Sequence, residues 1–137
     1  MVNIIVITHG KFGEYLVEAA EEIVGPQPTG VRCISISSRL SVEEARGMLE
    51  SAVAELRGGE GLIVAVDMPG GTPCNIAMRV VRDRPDVRVI CGINLYMMVT
   101  AFGRRGACGV DEVFSGMLDS GRKAIVDMRA RIAEAGT

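Results

Sequence analysis

The sequence predicts an α/β domain, a doubly wound and mainly parallel four-stranded sheet in the order 2-1-3-4 with helices on both faces. Four short runs are continuously apolar rather than alternating, which is typical of strands covered on both sides. Segments of helical periodicity separate these runs, and their short connections imply right-handed crossovers. The 137 residues match the size of one domain, so we assign residues 1–137 to a single unit.

Strands and helices are predicted to alternate along the first two thirds of the chain. The predicted strands are Asn3 to Thr8, Val31 to Ile36, Leu62 to Val66 and Val87 to Ile93. The first helix follows the first strand and stops at Gly25-Pro26. Its apolar stripe has i, i+3, i+4, i+7 spacing and comprises Phe12, Tyr15, Leu16, Ala19, Ala20, Ile23 and Val24.

Capping signals mark the next two helices. Ser41 with Glu44 three residues later forms a capping box that begins the second helix, which ends at Gly58-Gly59. Thr72 followed by Pro73 predicts the start of the third helix, with the threonine hydroxyl as N-cap and proline at the first helical position.

Beyond the fourth strand the pattern is weaker. We expect helices near Met97 to Arg104 and from about Asp111 to Arg122. The segment from Ala124 to Met128 either finishes that last helix or forms a short edge strand.

Composition excludes several functional classes. A net charge of −2 lacks the basic surplus of a nucleic-acid-binding domain. Apolar stretches are much shorter than the roughly 20 residues of a membrane-spanning helix, and no signal peptide begins the chain, so we expect a cytoplasmic protein. No C-x-x-C pair occurs, and we interpret the cysteines as small core residues, not as zinc ligands or a redox pair: Cys33, Cys74, Cys91 and Cys108.

Two loops at one edge of the predicted sheet hold the candidate site. Sheets of this kind bind ligands beyond the carboxyl ends of their strands. Thr8-His9-Gly10 follows the first strand, and DMPGGTPCN, beginning at Asp67, follows the third. Neighbouring strands lie about 4.8 Å apart, so His9 and Asp67, 58 residues apart in sequence, can touch. Asp67 accepting the Nδ1 proton would leave Nε2 outward as a nucleophile.

The second loop also suits an anion. Gly70-Gly71 allows backbone amides to approach closely, and the helix starting at Thr72 directs its positive dipole end toward the same place. The Thr72 hydroxyl either binds a phosphate oxygen or caps the helix. A histidine beside such a cradle suggests phosphoryl transfer, which requires positioning and oriented dipoles. Taken singly, a histidine at a strand end is more often a boundary residue, and Asp67 closing a turn is an equally common reading.

Three segments in this order resemble the mannose-family IIA component of the bacterial phosphoenolpyruvate-dependent sugar phosphotransferase system: VITHGKFGEYLVEAAEEIVG, LIVAVDMPGGTPCNIAMRVV and VICGINLYMMV. The resemblance implies that His9 accepts a phosphoryl group from the phosphocarrier protein HPr and passes it to a IIB component on a separate chain. It makes Asp67 the orienting carboxylate and Thr72 the hydroxyl of the G-G-[ST]-P motif. The phosphate-binding candidates are Gly10, Gly70, Gly71 and Thr72.

The resemblance carries further expectations. No metal or organic cofactor is required, nucleic acid is not a partner, and the membrane is reached only through transporter subunits. A homodimer is implied in which a short C-terminal strand is exchanged, which favours an edge strand at Ala124 to Met128. Ile7, Pro69 and Tyr96 depart from the family pattern without removing a reacting group, and the last two bear on partner choice. A regulatory module whose phosphorylation state another protein reads is the alternative function.

Overall fold

The computed structural model of the chain describes residues 1–136 and confirms the predicted parallel sheet in the order β2-β1-β3-β4. The strands are β1 (Asn3–His9), β2 (Val31–Ile36), β3 (Leu62–Val66) and β4 (Val87–Cys91). Every residue of β3 is buried, as is β1 from Ile4 to Thr8, because both strands are covered by helices on both sides. β1 and β3 are neighbours, with Ile7 opposite Val66, so their carboxyl ends lie together.

Helices cover both faces of the sheet. The described residues form α1 (Phe12–Val24), α2 (Val42–Leu56), α3 (Thr72–Val81), α4 (Leu95–Arg104), α5 (Val110–Lys123) and α6 (Met128–Ala135). α1, α4 and α5 pack on the face that presents Ile4 and Val6, and α2 and α3 pack on the face that presents Ile5 and Ile7. No helix within residues 1–136 is long and apolar enough to cross a lipid bilayer.

Local signals correctly locate several element ends. Ser41 caps α2 by accepting a hydrogen bond from the Glu44 backbone N–H at 3.1 Å, as the capping box predicts. α1 ends before Gly25, which has a φ of +123°. β4 is shorter than predicted, because Gly92 takes a φ of +80° and turns the chain before Ile93.

The prediction for the buried face of α1 is wrong in part. Gly13, Val17 and Ala20 face the core, whereas Tyr15 is 64% exposed and Ile23 is 61% exposed. The helix approaches the sheet at Gly13, where an added Cβ would lie 2.9 Å from Val6 Cγ1. The contact point of the helix is therefore a glycine, which apolar periodicity does not register.

Two boundary predictions are corrected. Gly71, not Thr72, is the N-cap of α3, so Thr72 is the first helical residue and Pro73 the second. Ala124 to Met128 forms neither the end of α5 nor a strand in this chain, because α5 ends at Lys123 and α6 begins at Met128. Asp127 caps α6 by accepting from the Ala130 backbone N–H at 3.1 Å. Exchange of this segment with a second subunit stays a prediction.

Candidate functional site

The ends of β1 and β3 bring His9 and Asp67 into contact. His9 is the last residue of β1, and Asp67 directly follows β3. His9 Nδ1 lies 2.7 Å from Asp67 Oδ2, and the same oxygen accepts the His9 backbone N–H at 2.8 Å. One carboxylate oxygen thereby fixes both the strand end and the imidazole ring of the same residue.

Hydrogen bonding keeps the Asp67 carboxyl ionised. Burial alone would raise its pKa, but hydrogen bonds from the His9 backbone, the His9 ring and the Met68 backbone outweigh it and lower the pKa below its usual range. The Met68 N–H donates to Oδ1 at 2.9 Å. An ionised carboxylate can only accept hydrogen bonds, so the N–H of the neutral imidazole lies on Nδ1. The lone pair on Nε2 is then free.

The imidazole is accessible while its carboxylate partner is shielded. The His9 side chain is 50% exposed, compared with 11% for Asp67. The Nε2 edge of the ring faces the start of α3, because an ideal Cβ built on Gly71 would lie 3.1 Å from Nε2 and 2.7 Å from Cε1. Backbone of the second loop therefore lies directly against the nitrogen that has the free lone pair.

The start of α3 provides unsatisfied donors beside this nitrogen. Gly70 has a φ of +82°, and Gly71 is an N-cap without a side chain, so no side-chain hydrogen bond caps the helix. Backbone N–H groups in a first helical turn lack intrahelical partners and favour an anion. The exposed Thr72 hydroxyl makes no hydrogen bond within residues 1–136, and it is not engaged in capping.

The backbone amide of Gly10 is engaged elsewhere. It donates to the Ile36 carbonyl oxygen at 2.8 Å, so this N–H is not free for an anion. Gly10 instead has a φ of +53°, which lets the chain turn from β1 into α1 immediately after His9.

Thr8 supports the same turn, a role that was not predicted from the sequence. Its fully buried hydroxyl accepts the Gly13 backbone N–H at 2.9 Å and donates to the Gly10 carbonyl oxygen at 3.2 Å. A lone hydroxyl within an otherwise apolar, buried strand has to find partners, and this is the signal that points to Thr8.

A cavity of about 300 Å³ opens in front of His9. It is lined by His9 and Thr72 and by residues from the end of β2 to the start of α2: Ile36, Ser37, Ser38, Leu40 and Val42. That segment was not singled out in the sequence. This segment therefore adds hydroxyl and apolar groups to the lining of the site.

Two of the cysteines, which the sequence predicts to be small core residues, contact each other near the site. Cys74 Sγ in α3 lies 3.5 Å from Cys91 Sγ at the end of β4, and both thiols are free. All four cysteines are half-buried, not fully enclosed. No group of three His, Cys, Asp or Glu side chains within residues 1–136 converges to hold a metal ion.

Comparison with known proteins points to one family. The family model described as PTS system fructose IIA component, EIIA-man, matches residues 3–117. The chain is 30% identical over 134 residues to the PTS system mannose-specific EIIAB component of Escherichia coli strain K12, a match that covers 97% of this chain and 41% of that protein. The chain therefore spans less than half the length of the curated relatives it matches.

Solved structures agree with the family match. The phosphotransferase system component EIIA from Streptococcus agalactiae has a TM-score of 0.84 at 28% identity, covering 95% of this chain and 99% of that one. The mannose/sorbose specific IIA subunit from Enterococcus faecalis has a TM-score of 0.80 at 27% identity, covering 91% of this chain and 92% of that one.

Proposed function

The chain belongs to the mannose-type IIA family of the sugar phosphotransferase system, and from that premise we propose that it is a phosphohistidine carrier acting through His9. Members of this family carry phosphoryl groups in sugar uptake. In this proposal His9 accepts its phosphoryl group from phospho-HPr in the cytoplasm and passes it to a IIB component. The contact between His9 Nδ1 and Asp67 Oδ2 at 2.7 Å carries the proposal.

The transfer step follows from the tautomer that Asp67 imposes. The Nε2 lone pair attacks the phosphorus, a P–N bond forms, and the bond between phosphorus and HPr breaks with its electron pair staying on HPr. The ring gains positive charge when Nε2 is bonded to phosphorus, and the Asp67 carboxylate stabilises that charge through Nδ1–H.

The start of α3 stabilises the phosphoryl oxygens in this proposal. Negative charge spreads over three equatorial oxygens in the transition state, so oriented donors are the main protein contribution. Four groups are available for this role: the backbone amides of Gly70 and Gly71, the Thr72 hydroxyl and the positive end of the α3 dipole. Gly10 contributes the turn that orients His9.

Incubation with phosphoenolpyruvate, Enzyme I and HPr tests the proposal directly. We expect one phosphoryl group per chain, stable in alkali and released by acid, because His9 is the only histidine. Absence of incorporation, or an acid-stable adduct, would show that the chain is not a phosphohistidine carrier.

Replacing Gly71 by alanine is expected to slow phosphorylation by about tenfold or more, the size of effect that small displacements of reacting groups produce. The new methyl group would lie 2.7 Å from His9 Cε1 and would push the ring away from Asp67 or displace the start of α3. The measurement is the initial rate of label transfer from phospho-HPr. Gly103→Ala is the matched control, because that helical glycine has no atoms within 4 Å of its would-be Cβ. If Gly71→Ala is phosphorylated as fast as the control, the close contact of Gly71 with His9 does not matter for the reaction.

We infer that the protein forms a homodimer in which residues 124–128 pair with the free edge of β4 in a second copy. Ile125 is 84% exposed and Val126 is 45% exposed, and β4 is an edge strand without a partner on its outer side among the described residues. Ile125→Asp is expected to shift the mass in solution from dimer to monomer, measured by light scattering during size-exclusion chromatography.

Met48→Asp is the control for this experiment, since Met48 is 47% exposed on α2 and belongs to the opposite side of the sheet from α5. It should leave the mass unchanged. A wild-type protein that is monomeric at tens of micromolar, or an Ile125→Asp protein that is still dimeric, would contradict the strand exchange.

A further inference from the structure

We propose that Cys74 and Cys91 form a reversible intrachain disulfide that fixes the first turn of α3 against the end of β4. Their sulfur atoms lie 3.5 Å apart in the reduced protein. The formation of this bond is independent of the proposed function, whereas its effect on phosphoryl transfer rests on that function.

The two thiols belong to the start of α3 and the end of β4, and both of these lie near the site. Cys74 lies in the first turn of α3, two residues after Thr72. Cys91 is the last residue of β4 and lies opposite Val66, the residue that precedes Asp67. A disulfide has a sulfur–sulfur distance of about 2.05 Å, so closure requires about 1.5 Å of approach, within reach of thiol rotation and a small shift of the helix start.

The other two cysteines lie on the opposite face of the sheet. Cys74 and Cys91 pack with the α2–α3 side of the core, whereas Cys33 and Cys108 pack with the α1, α4 and α5 side. The sheet separates the two sets. An intrachain disulfide therefore cannot join one set to the other without unfolding, and within residues 1–136 the sulfur atoms in contact are those of Cys74 and Cys91.

A small-molecule disulfide such as oxidised glutathione supplies the oxidant. The Cys74 thiolate attacks one of its sulfurs, and one glutathione thiolate leaves. Cys91 then loses its proton and attacks Cys74 Sγ, which releases the second glutathione thiolate. In total the two protein thiols lose two protons and two electrons, and the oxidant is reduced to two thiols.

The environment of Cys91 assigns the order of attack. Burial, the adjacent Cys74 thiol and the Asp67 charge raise the pKa of Cys91 to about 11. The thiolate of Cys91 is therefore scarce at neutral pH, and this scheme gives Cys91 the second attack, after it has lost its proton. Both thiols stay reduced unless an oxidant is present.

The strand order indicates how closure affects the site. β4 lies on the far side of β3 from β1, which carries His9. Drawing Cys74 toward Cys91 moves the first turn of α3 toward β4 and away from His9. The Thr72 hydroxyl and the Gly71 backbone move with that turn, so the oxidised protein should transfer phosphoryl groups more slowly.

Peptide mapping under non-reducing conditions tests the disulfide. After treatment with oxidised glutathione we expect a loss of about 2 Da and a proteolytic fragment that joins Cys74 to Cys91. We also expect a rise in Tm of about 5 °C or more that dithiothreitol reverses. Cys74→Ser and Cys91→Ser should each lose the linked fragment, and a Cys33→Ser, Cys108→Ser double variant should keep it. Glutathione that stays attached without closure, or linkage through Cys33 or Cys108, would overturn the proposal.

Phosphotransfer rates test the consequence for the site separately. We expect the oxidised wild type to accept label from phospho-HPr at least about threefold more slowly, a change of the size expected for a small displacement at a reacting centre. Dithiothreitol should restore the rate, and a Cys74→Ser, Cys91→Ser double variant should be insensitive to the oxidant. Equal rates in both redox states would overturn the effect on the site. Failure of the reduced protein to be phosphorylated would instead refute the carrier function, and the peptide map would still decide the disulfide.

Discussion

His9→Gln is expected to abolish phosphoryl incorporation from phospho-HPr, lowering the rate by at least about 10³-fold, as removal of a nucleophile does. The substitution removes the only imidazole in the chain. The glutamine amide can still donate to Asp67, but its nitrogen has no lone pair that can attack phosphorus. The measurement is label transfer from phosphoenolpyruvate through Enzyme I and HPr, with acid lability of the product recorded for each protein.

The His9→Gln protein should remain folded, because half of the His9 side chain is in solvent. Its free energy of unfolding should stay within about 0.5 to 1 kcal/mol of the wild type, which urea titration measures. Lys11→Gln is a suitable control, since Lys11 is exposed in the same turn and should be phosphorylated at the wild-type rate. Acid-labile phosphate on the His9→Gln protein would disprove the assignment of the phosphoacceptor.

The sheet was predictable because short strand-like runs alternate with segments of helical periodicity, and its order is a common one for that alternation. β3 has the bounds that the sequence predicts, since its continuous apolar run marks a strand covered on both faces. β2 also has the predicted bounds, although it is an edge strand in which only Ile34 is buried. The orientation of α1 was not predictable in the same way. Its contact with the sheet is made through Gly13, at a distance where a Cβ would collide with Val6.

The site was predictable to the extent that topology determined it. Adjacency of β1 and β3 is enough to place His9 beside Asp67. The cap of α3 was not predictable, because Gly71 takes that position where its backbone passes the His9 ring. The contact of Cys74 with Cys91 likewise escapes sequence inspection, since 17 residues separate them and only the α3–β4 connection brings them together.

Asp67→Asn is expected to slow phosphorylation by about 10²- to 10⁴-fold while His9 stays in place, as loss of an orienting carboxylate does. Asp67 accepts three N–H donors, two from His9 and one from Met68. If the asparagine oxygen faces His9, its NH₂ opposes the Met68 N–H. If its NH₂ faces His9, it donates to Nδ1 and the hydrogen moves to Nε2, where it occupies the nucleophilic lone pair.

The same carboxylate gives the protein a pH-dependent contribution to stability. The pKa of Asp67 is lower in the folded protein than in the unfolded chain. Its contribution to stability is therefore fully present above the pKa of the unfolded chain, about 4. The contribution is lost as pH falls through the lower, folded pKa. Between pH 7 and pH 3 the Asp67→Asn protein should therefore lose less unfolding free energy than the wild type, as measured by urea titration at both values.

Asp86→Asn separates the role of Asp67 from a general effect of removing a hydrogen-bonded carboxylate. Asp86 pairs with Arg57 at 2.7 Å and precedes β4, at the opposite edge of the sheet from His9. Its loss should leave the phosphorylation rate unchanged, because an exposed ion pair contributes little and lies far from the imidazole. An Asp67→Asn protein phosphorylated as fast as Asp86→Asn would show that His9 adopts its reactive tautomer without the carboxylate. Phosphoryl transfer to His9 would then depend on the start of α3 without help from Asp67.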